Sequence, residues 1–237
     1  MTAARVEPLI TPRTKAVLLN TPGNPTGIVA TAEECRELLE LCRRRGVLLI
    51  SDEIYAELTY DGAADPTLGL CPSPGRFPGA SEDVLIIRGF GKSYAVTGWR
   101  LGYAAGPAAI IDAMERLQQL MFICAPTPLQ WGVVPAVGLD VAEAARTYER
   151  RAALVHQRLG AVTRLQKPRG SFYAFPEVPP RLGMTGERFF EKCLERNLLL
   201  MPGNIVSRRD THVRISFAVP DRMLEQGLDE LVRLMSA

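Results

Sequence analysis

The sequence predicts an α/β fold: a mostly parallel, three-layer large domain over residues 1–145, followed by a small α+β domain over residues 146–237. Two observations support this prediction. In the first half, short apolar segments alternate with stretches of helical periodicity, which is typical of a sheet whose strands are buried on both faces. The second half begins with a long amphipathic pattern and continues with mixed strands and helices. A length of 237 residues fits one large domain together with a small one.

The first half contains the strands of the predicted large domain. Four apolar segments, each followed by turn-forming or polar residues, are predicted strands: 15–20, 47–50, 84–87 and 102–105. A helix is predicted from Thr31 to Gly46, because Thr31 and Glu34 have the spacing of a capping box. Its apolar stripe at helical spacing is Cys35, Leu38, Leu39 and Cys42. Residues 61–82 are rich in Gly, Pro, Asp and Ser, which predicts a long surface loop.

The second half predicts the small domain. Apolar residues keep helical spacing from Val141 to Leu159, which indicates a helix of about five turns. Two strands and two more helices are predicted after it: strands 171–175 and 212–217, and helices 187–196 and 224–235. Ahead of the long helix, Pro135 interrupts a helical pattern that follows Gln130, so we expect a kink or an early stop there.

Composition excludes several classes of protein. With 47% hydrophobic residues, 23% charged residues and a net charge of +2, a nucleic-acid scaffold or a disordered chain is not indicated. The five cysteines contain no C-x-x-C pair, so neither a disulfide framework nor a zinc site is predicted. No apolar run is long enough to cross a bilayer, and the first residues lack the apolar region of a signal peptide. We therefore expect a cytoplasmic protein with no metal, no membrane and no nucleic-acid partner.

Polar side chains follow three of the predicted strands. Asn20, with Asn24 just beyond it, follows the first strand, Asp52 follows the second, and Lys92 follows the third. If these strands are parallel neighbours, an amide, a carboxylate and an amine converge at one edge of the sheet, where α/β proteins bind ligands. Each residue also has an ordinary explanation: Asp52 as a helix cap, Lys92 as a solvated charge, Asn24 as a turn residue.

The combination predicts a particular chemistry. Lys92 is flanked by Gly89, Gly91 and Ser93, where the backbone can approach a ligand closely. Removing an amine from water favours its neutral form, the nucleophile that forms Schiff bases. A carboxylate such as Asp52 can keep a pyridine nitrogen protonated, and a guanidinium such as Arg100 can bind a phosphate.

Three sequence blocks carry a resemblance to a known family. Residues 24–27 (NPTG), 52–55 (DEIY) and 92–102 (KSYAVTGWRLG) resemble the signature of class I/II aminotransferases, which are fold-type I enzymes dependent on pyridoxal 5'-phosphate. The order and spacing of the three blocks make the resemblance specific. It extends from about Thr11 to the end of the chain and includes residues 170–173 (GSFY) and 213–217 (VRISF).

The resemblance implies a role for individual residues. Lys92 would form the Schiff base with the cofactor and later carry the proton between the substrate α-carbon and the cofactor. Asp52 would pair with the pyridine nitrogen. Asn24 and Tyr55 would donate hydrogen bonds to the oxygen of the cofactor's 3-hydroxyl group, and Arg100 would bind the phosphate.

The substrate side is implied in the same way. Arg214 would bind the substrate α-carboxylate, a task suited to a bidentate guanidinium, and its ordinary alternative is a surface salt bridge on a strand. The family also implies amino acid and 2-oxo acid substrates and a homodimer. A cis peptide bond between Asn24 and Pro25 is expected, because the family bends its chain there to turn the asparagine toward the cofactor.

The chain also departs from the family's pattern. About the first third of the usual chain, with the glycine-rich phosphate turn and the aromatic that stacks on the ring, has no counterpart here, and residues 204–207 (NIVS) replace the usual small residue and Phe-Gly. We expect an exposed apolar patch as a result. The leading hypothesis is an aminotransferase; the alternatives are another pyridoxal-phosphate reaction, such as β-elimination or decarboxylation, a non-catalytic module of the same fold, or a truncated chain with little or no catalysis.

Overall fold

The computed structural model describes residues 1–60 and 62–237, which form two compact units. The first unit contains Met1–Pro22 and Val29–Glu143, and the second contains Gly23–Ile28 together with Ala144–Ala237. The predicted domain boundary between residues 145 and 146 stays a prediction. Among the described residues, no helix has the length and apolar character needed to cross a membrane.

The first unit contains a four-stranded sheet in the order β1-β2-β3-β4. Its strands are β1 (Ala16–Asn20), β2 (Leu48–Asp52), β3 (Val84–Gly89) and β4 (Gly102–Ala105). The first three are parallel, and β4 runs antiparallel to β3. The helices are α1 (Ala3–Val6), α2 (Ala32–Arg45), α3 (Phe90–Ser93), α4 (Ala108–Met121) and α5 (Thr127–Val133). The prediction of a mostly parallel α/β sheet is confirmed.

Helix α2 packs against one face of this sheet because of its local sequence. At its start, the Thr31 hydroxyl accepts a hydrogen bond from the Glu34 N–H at 3.1 Å, and Glu34 Oε2 accepts one from the Thr31 N–H at 2.9 Å, so the capping box is confirmed. Its apolar stripe is buried with side chains of the first three strands: Val17, Leu19, Leu49 and Val84. A fully buried leucine contributes about 1.5–3 kcal/mol relative to an exposed one. Burial of these side chains therefore stabilises the packing of α2 on the sheet.

Some boundaries differ from those predicted. Strand β2 continues through Ser51 to Asp52, because the backbone stays paired with both neighbouring strands, whereas the sequence pattern ended it at residue 50. The predicted loop over 61–82 contains two short 3₁₀ helices, Pro74–Arg76 and Ala80–Glu82, and its position 61 lies outside the described residues. The early stop at Pro135 is confirmed, since α5 ends at Val133 and a 3₁₀ turn follows.

The last part of the first unit exposes a large apolar surface. Helix α4 has no buried residue. The large apolar side chains exposed on and after it include Leu117, Leu120, Met121, Phe122, Ile123 and Trp131. The apolar patch expected from the sequence is therefore present, and it lies on α4 and the residues that follow it.

The second unit is the predicted α+β arrangement. Three short antiparallel strands lie in the order β5-β7-β6, and the unit also contains three helices. The elements are α6 (Ala142–Gly160), β5 (Tyr173–Ala174), α7 (Gly186–Leu194), β6 (Met201–Pro202), β7 (Val213–Ser216) and α8 (Asp221–Ser236). Strand β5 is shorter than predicted because Ser171 adopts a left-handed conformation with φ 60°, which turns the chain just before it. Strand β6 was not predicted.

Candidate functional site

Asp52 ends β2 at the carboxyl edge of the sheet of the first unit. It lies opposite Asn20 of β1 and Ile87 of β3. Its half-buried side chain accepts a hydrogen bond from the N–H of Ile54 to Oδ1 at 3.3 Å. Burial raises the pKa of Asp52, and the Ile54 hydrogen bond only partly offsets this effect. Among residues 1–60 and 62–237 the carboxylate forms no salt bridge, so a cation supplied by a ligand would stabilise it.

Lys92 lies beyond the carboxyl end of β3, on the one-turn helix α3. The entry to this turn needs glycine, because a Cβ at Gly89 would lie 2.7 Å from Ile54 Cδ1 and 3.0 Å from the Leu101 carbonyl oxygen. The N–H of Phe90 donates to that same carbonyl at 3.2 Å, which fixes the start of α3. Because β2 and β3 are parallel neighbours, the ends that carry Asp52 and Lys92 lie at the same edge of the sheet.

Tyr55 and Arg100 differ in their exposure to solvent. Tyr55 is buried in the turn that leads from β2 to the 3₁₀ helix Ala56–Leu58. Arg100 is exposed and has a left-handed backbone with φ 54°, and its Nη1 donates to the Thr97 carbonyl at 3.1 Å. An exposed guanidinium can bind an anion without the cost of removing a buried partner. The ring contact predicted for Tyr55 and the phosphate contact predicted for Arg100 stay predictions.

A buried polar network that the sequence did not reveal lies beside Asp52. The Glu53 side chain is completely buried. It accepts hydrogen bonds from the Ser51 hydroxyl at 2.9 Å, the Ser73 hydroxyl at 2.5 Å, and Nε and Nη2 of Arg88 at 3.0 and 2.6 Å. Burial by itself lowers the pKa of Arg88, but the hydrogen bonds to Glu53 raise it on balance. The sequence signal for it was a third consecutive polar residue, Glu53, after Ser51 and Asp52 at the end of an apolar strand.

The second unit contains the other two predicted site residues. The Asn24–Pro25 peptide bond is cis, as expected, and Thr21–Pro22 in the first unit is also cis, which was not predicted. Arg214 lies on β7, and its Nη1 donates to Asn24 Oδ1 at 3.0 Å. Its guanidinium lies over the ring of Tyr173, 4.7 Å from the centroid. Within the described residues Arg214 forms no salt bridge, so the surface salt bridge considered as its alternative role is not observed.

The turn that carries Asn24 is held by close backbone packing. Gly27 has φ 70°, and a Cβ there would lie 2.6 Å from Pro168 Cβ and 2.8 Å from the Tyr173 carbonyl oxygen. The Ser171 hydroxyl donates to the Gly23 carbonyl at 3.3 Å. These contacts connect the turn to the strand beside Arg214. Their effect is to fix the asparagine and the arginine as one polar group.

The cysteines are outside this chemistry. Burial raises the pKa of Cys35 to about 12 and that of Cys42 to about 11, so both stay as thiols that pack in the core. Cys193 is buried in the second unit, and burial raises its pKa to about 12. Among the residues that the structure describes, no cluster of three or more His, Cys, Asp or Glu side chains is arranged to hold a metal ion.

Comparison with known proteins gives consistent results. Residues 1–231 match the family model described as aminotransferase class I and II. The chain is 35% identical over 247 residues to an aspartate aminotransferase of Geobacillus stearothermophilus, covering 100% of this chain and 61% of the relative. It is 34% identical over 238 residues to an aspartate/prephenate aminotransferase of Thermus thermophilus, covering 98% of this chain and 59% of the relative.

Solved structures show the same relationship. The fold matches an aromatic aminotransferase from Pyrococcus horikoshii with a TM-score of 0.91 at 30% identity, covering 99% of this chain and 63% of that chain. It matches a Thermus thermophilus aspartate aminotransferase double mutant with a TM-score of 0.89 at 33% identity, covering 99% and 60%. The chain therefore spans about 60% of the length of the relatives that it matches.

Proposed function

Because this chain belongs to the class I and II aminotransferase family, we propose that it transfers an amino group from an amino acid to a 2-oxo acid with pyridoxal 5'-phosphate bound covalently to Lys92. One observation carries this proposal. Asp52 is the last residue of β2, and Lys92 lies just beyond the adjacent parallel strand β3, so both are at the edge of the sheet where α/β proteins bind ligands. A carboxylate and an amine at this edge are the two groups that the cofactor requires.

The residues of the first unit fit the cofactor. The half-buried Asp52 carboxylate has no cationic partner among the described residues, so a protonated pyridine nitrogen would compensate its burial. When bound, pyridoxal phosphate supplies an electron sink for charge that develops at the substrate α-carbon. Lys92 would hold the cofactor through its aldehyde carbon, and its amine would then move the proton from the substrate α-carbon to that same cofactor carbon. Arg100 would hold the phosphate.

The second unit supplies the groups proposed for the substrate and the cofactor oxygen. The Arg214 guanidinium is oriented by the Tyr173 ring and by Asn24, which suits bidentate binding of an α-carboxylate. Asn24, together with Tyr55 of the first unit, would hydrogen-bond the cofactor's 3-hydroxyl oxygen. The named relatives act on aspartate, prephenate or aromatic amino acids, so we propose an α-amino acid as the donor.

We also propose a homodimer and a cytoplasmic location. The apolar side chains exposed on α4 support self-association, because an apolar surface of this kind is stabilised by being covered. Analytical ultracentrifugation tests the assembly. A sedimentation coefficient that stays at the value of a 26.0 kDa monomer as the concentration rises would contradict the dimer.

A substrate assay tests the reaction. The chain, pyridoxal phosphate and a panel of amino acids are incubated with and without a 2-oxo acid, at high chain concentration because slow turnover is expected. Transamination requires that amino-acid loss depends on the 2-oxo acid. Ammonia released without a 2-oxo acid would instead indicate β-elimination, and carbon dioxide release would indicate decarboxylation. Lys92→Arg is expected to abolish the loss, and Lys15→Arg, at an exposed position in the same unit, serves as the control.

A further inference from the structure

Two glutamates connect the segment that carries Asp52 to the segment that carries Lys92. We call residues 52–57 the Asp52 segment and residues 88–93 the Lys92 segment. Glu53 and Glu57 belong to the first, and each accepts hydrogen bonds from a side chain of the second. The two contacts lie within the first unit.

In the first contact, between Glu53 and Arg88, the carboxylate is completely removed from water. The Glu53 side chain has no exposure, and the exposed fraction of the Arg88 side chain is 20%. Both Nε and Nη2 of Arg88 donate to Glu53 Oε2, and hydroxyl groups of Ser51 and Ser73 donate to Oε1. A buried ion pair of this kind is often no more stabilising than apolar side chains of the same volume. Its hydrogen bonds are directional, however, so it fixes the geometry of the two chains that it joins.

The second contact is next to the lysine. The buried Ser93 hydroxyl donates to Glu57 Oε2 at 2.6 Å. Ser93 is the residue after Lys92 and the last residue of α3, so this bond anchors the turn that carries the amine. Tyr55 lies between the two glutamates in the sequence, and Lys92 lies between Arg88 and Ser93. The two contacts therefore lie on either side of Tyr55 in the first segment and of Lys92 in the second.

We propose that Glu53 and Glu57 are positioning residues of the cofactor site, which set the place of the Lys92 amine relative to Asp52 and Tyr55. This inference rests on the proposed function. We assign neither glutamate to the reacting groups, because Glu53 is paired with Arg88 and Glu57 Oε2 accepts the hydrogen bond from Ser93. A displacement of about 1 Å between reacting groups can cost about 100-fold in rate, so fixing the two segments has a direct effect on the site.

The test compares formation of the Lys92 adduct in variants of the 237-residue chain. Glu57→Ala removes the acceptor for Ser93, and Glu57→Gln keeps an oxygen at the same place without the charge. Each chain is titrated with pyridoxal phosphate, trapped with borohydride and mapped by mass spectrometry, and the pH midpoint of the adduct's visible absorption is recorded. Glu37→Ala, at an exposed position on α2, is the matched control.

We expect Glu57→Ala to raise the half-saturating concentration by about tenfold and to move the pH midpoint, and Glu57→Gln to restore most of both. Glu53→Gln is expected to act in the same direction, and should it fail to fold, the Glu57 variants decide. If the Glu57→Ala chain folds and has the same half-saturating concentration and pH midpoint as Glu37→Ala, the positioning role is overturned while the proposed function stands. Failure of the unsubstituted chain to form an adduct on Lys92 would overturn the proposed function and this inference together.

Discussion

The ion pair between Arg88 and Glu53 offers a quantitative test of how the first unit is held together. Arg88→Met removes the cation and leaves the Glu53 carboxylate buried with two hydroxyl donors, those of Ser51 and Ser73. Breaking a buried pair costs about 3–5 kcal/mol, and because a fifth of the Arg88 side chain is exposed we expect the lower end, about 3 kcal/mol. With a urea slope of about 1–3 kcal/mol per molar, the unfolding midpoint should fall by about 1–3 M.

Tryptophan fluorescence reports the unfolding of the first unit, where the Arg88–Glu53 pair lies. The chain has two tryptophans, Trp99 and Trp131, and both lie in the first unit. Arg36→Met is the control, since Arg36 pairs with exposed glutamates on α2 and its loss should cost less than about 1 kcal/mol. The double variant Glu53→Gln/Arg88→Met should recover part of the stability, because no charge is left unpaired. Equal losses for Arg88→Met and Arg36→Met would refute the reasoning.

Three further predictions concern the site, a helix cap and the chain itself. The pKa of Asp52 is raised in the folded chain, so the stability of the fold decreases as the pH rises from the ordinary aspartate pKa through the raised one. Asp52→Asn should remove this decrease in urea unfolding measured at several pH values, and it should abolish transamination. Activity of the variant within a few-fold of the parent would show that Asp52 only caps the turn. Thr31→Ala should cost about 1 kcal/mol in the same unfolding assay and Thr31→Ser much less, and equal stability of the two would argue against the capping box. With the exposed Arg100 as the one phosphate ligand proposed, the 237-residue chain is expected to bind pyridoxal phosphate weakly and to turn over slowly. Each charge-assisted hydrogen bond contributes about 1.5–3 kcal/mol, so a phosphate held by one guanidinium is bound several powers of ten less tightly than one held by two or three further donors. Tight binding with ordinary turnover in a cofactor titration and substrate assay would contradict this last expectation.

Local sequence patterns predicted the elements that carry the site. The helix from Thr31 is encoded by a capping box and a stripe at helical spacing, both of which act within a few residues. Polar residues that follow apolar segments located the carboxyl edge of the sheet at Asp52 and Lys92, because parallel strands bring their ends together. The cis bond before Pro25 followed from the resemblance to the family.

Contacts between distant residues could not be predicted in the same way. Arg88 and Glu53 are 35 positions apart, and Arg214 and Asn24 are 190 positions apart, so no periodicity links the members of either pair. Strand β6 contains only Met201 and Pro202, which is too short to produce an alternating pattern. The end of β2 was placed early because Ser51 and Asp52 are polar, although backbone pairing with its neighbours continues through them.

The identity of the lysine that binds the cofactor tests the central claim most directly. The chain has four lysines, Lys15, Lys92, Lys167 and Lys192. After incubation with pyridoxal phosphate and reduction with borohydride, peptide mapping should find the label on Lys92, with the other three unlabelled at the same cofactor concentration. Label found mainly on Lys15, Lys167 or Lys192, or spread evenly over all four, would contradict the assignment of this edge of the sheet as the cofactor site.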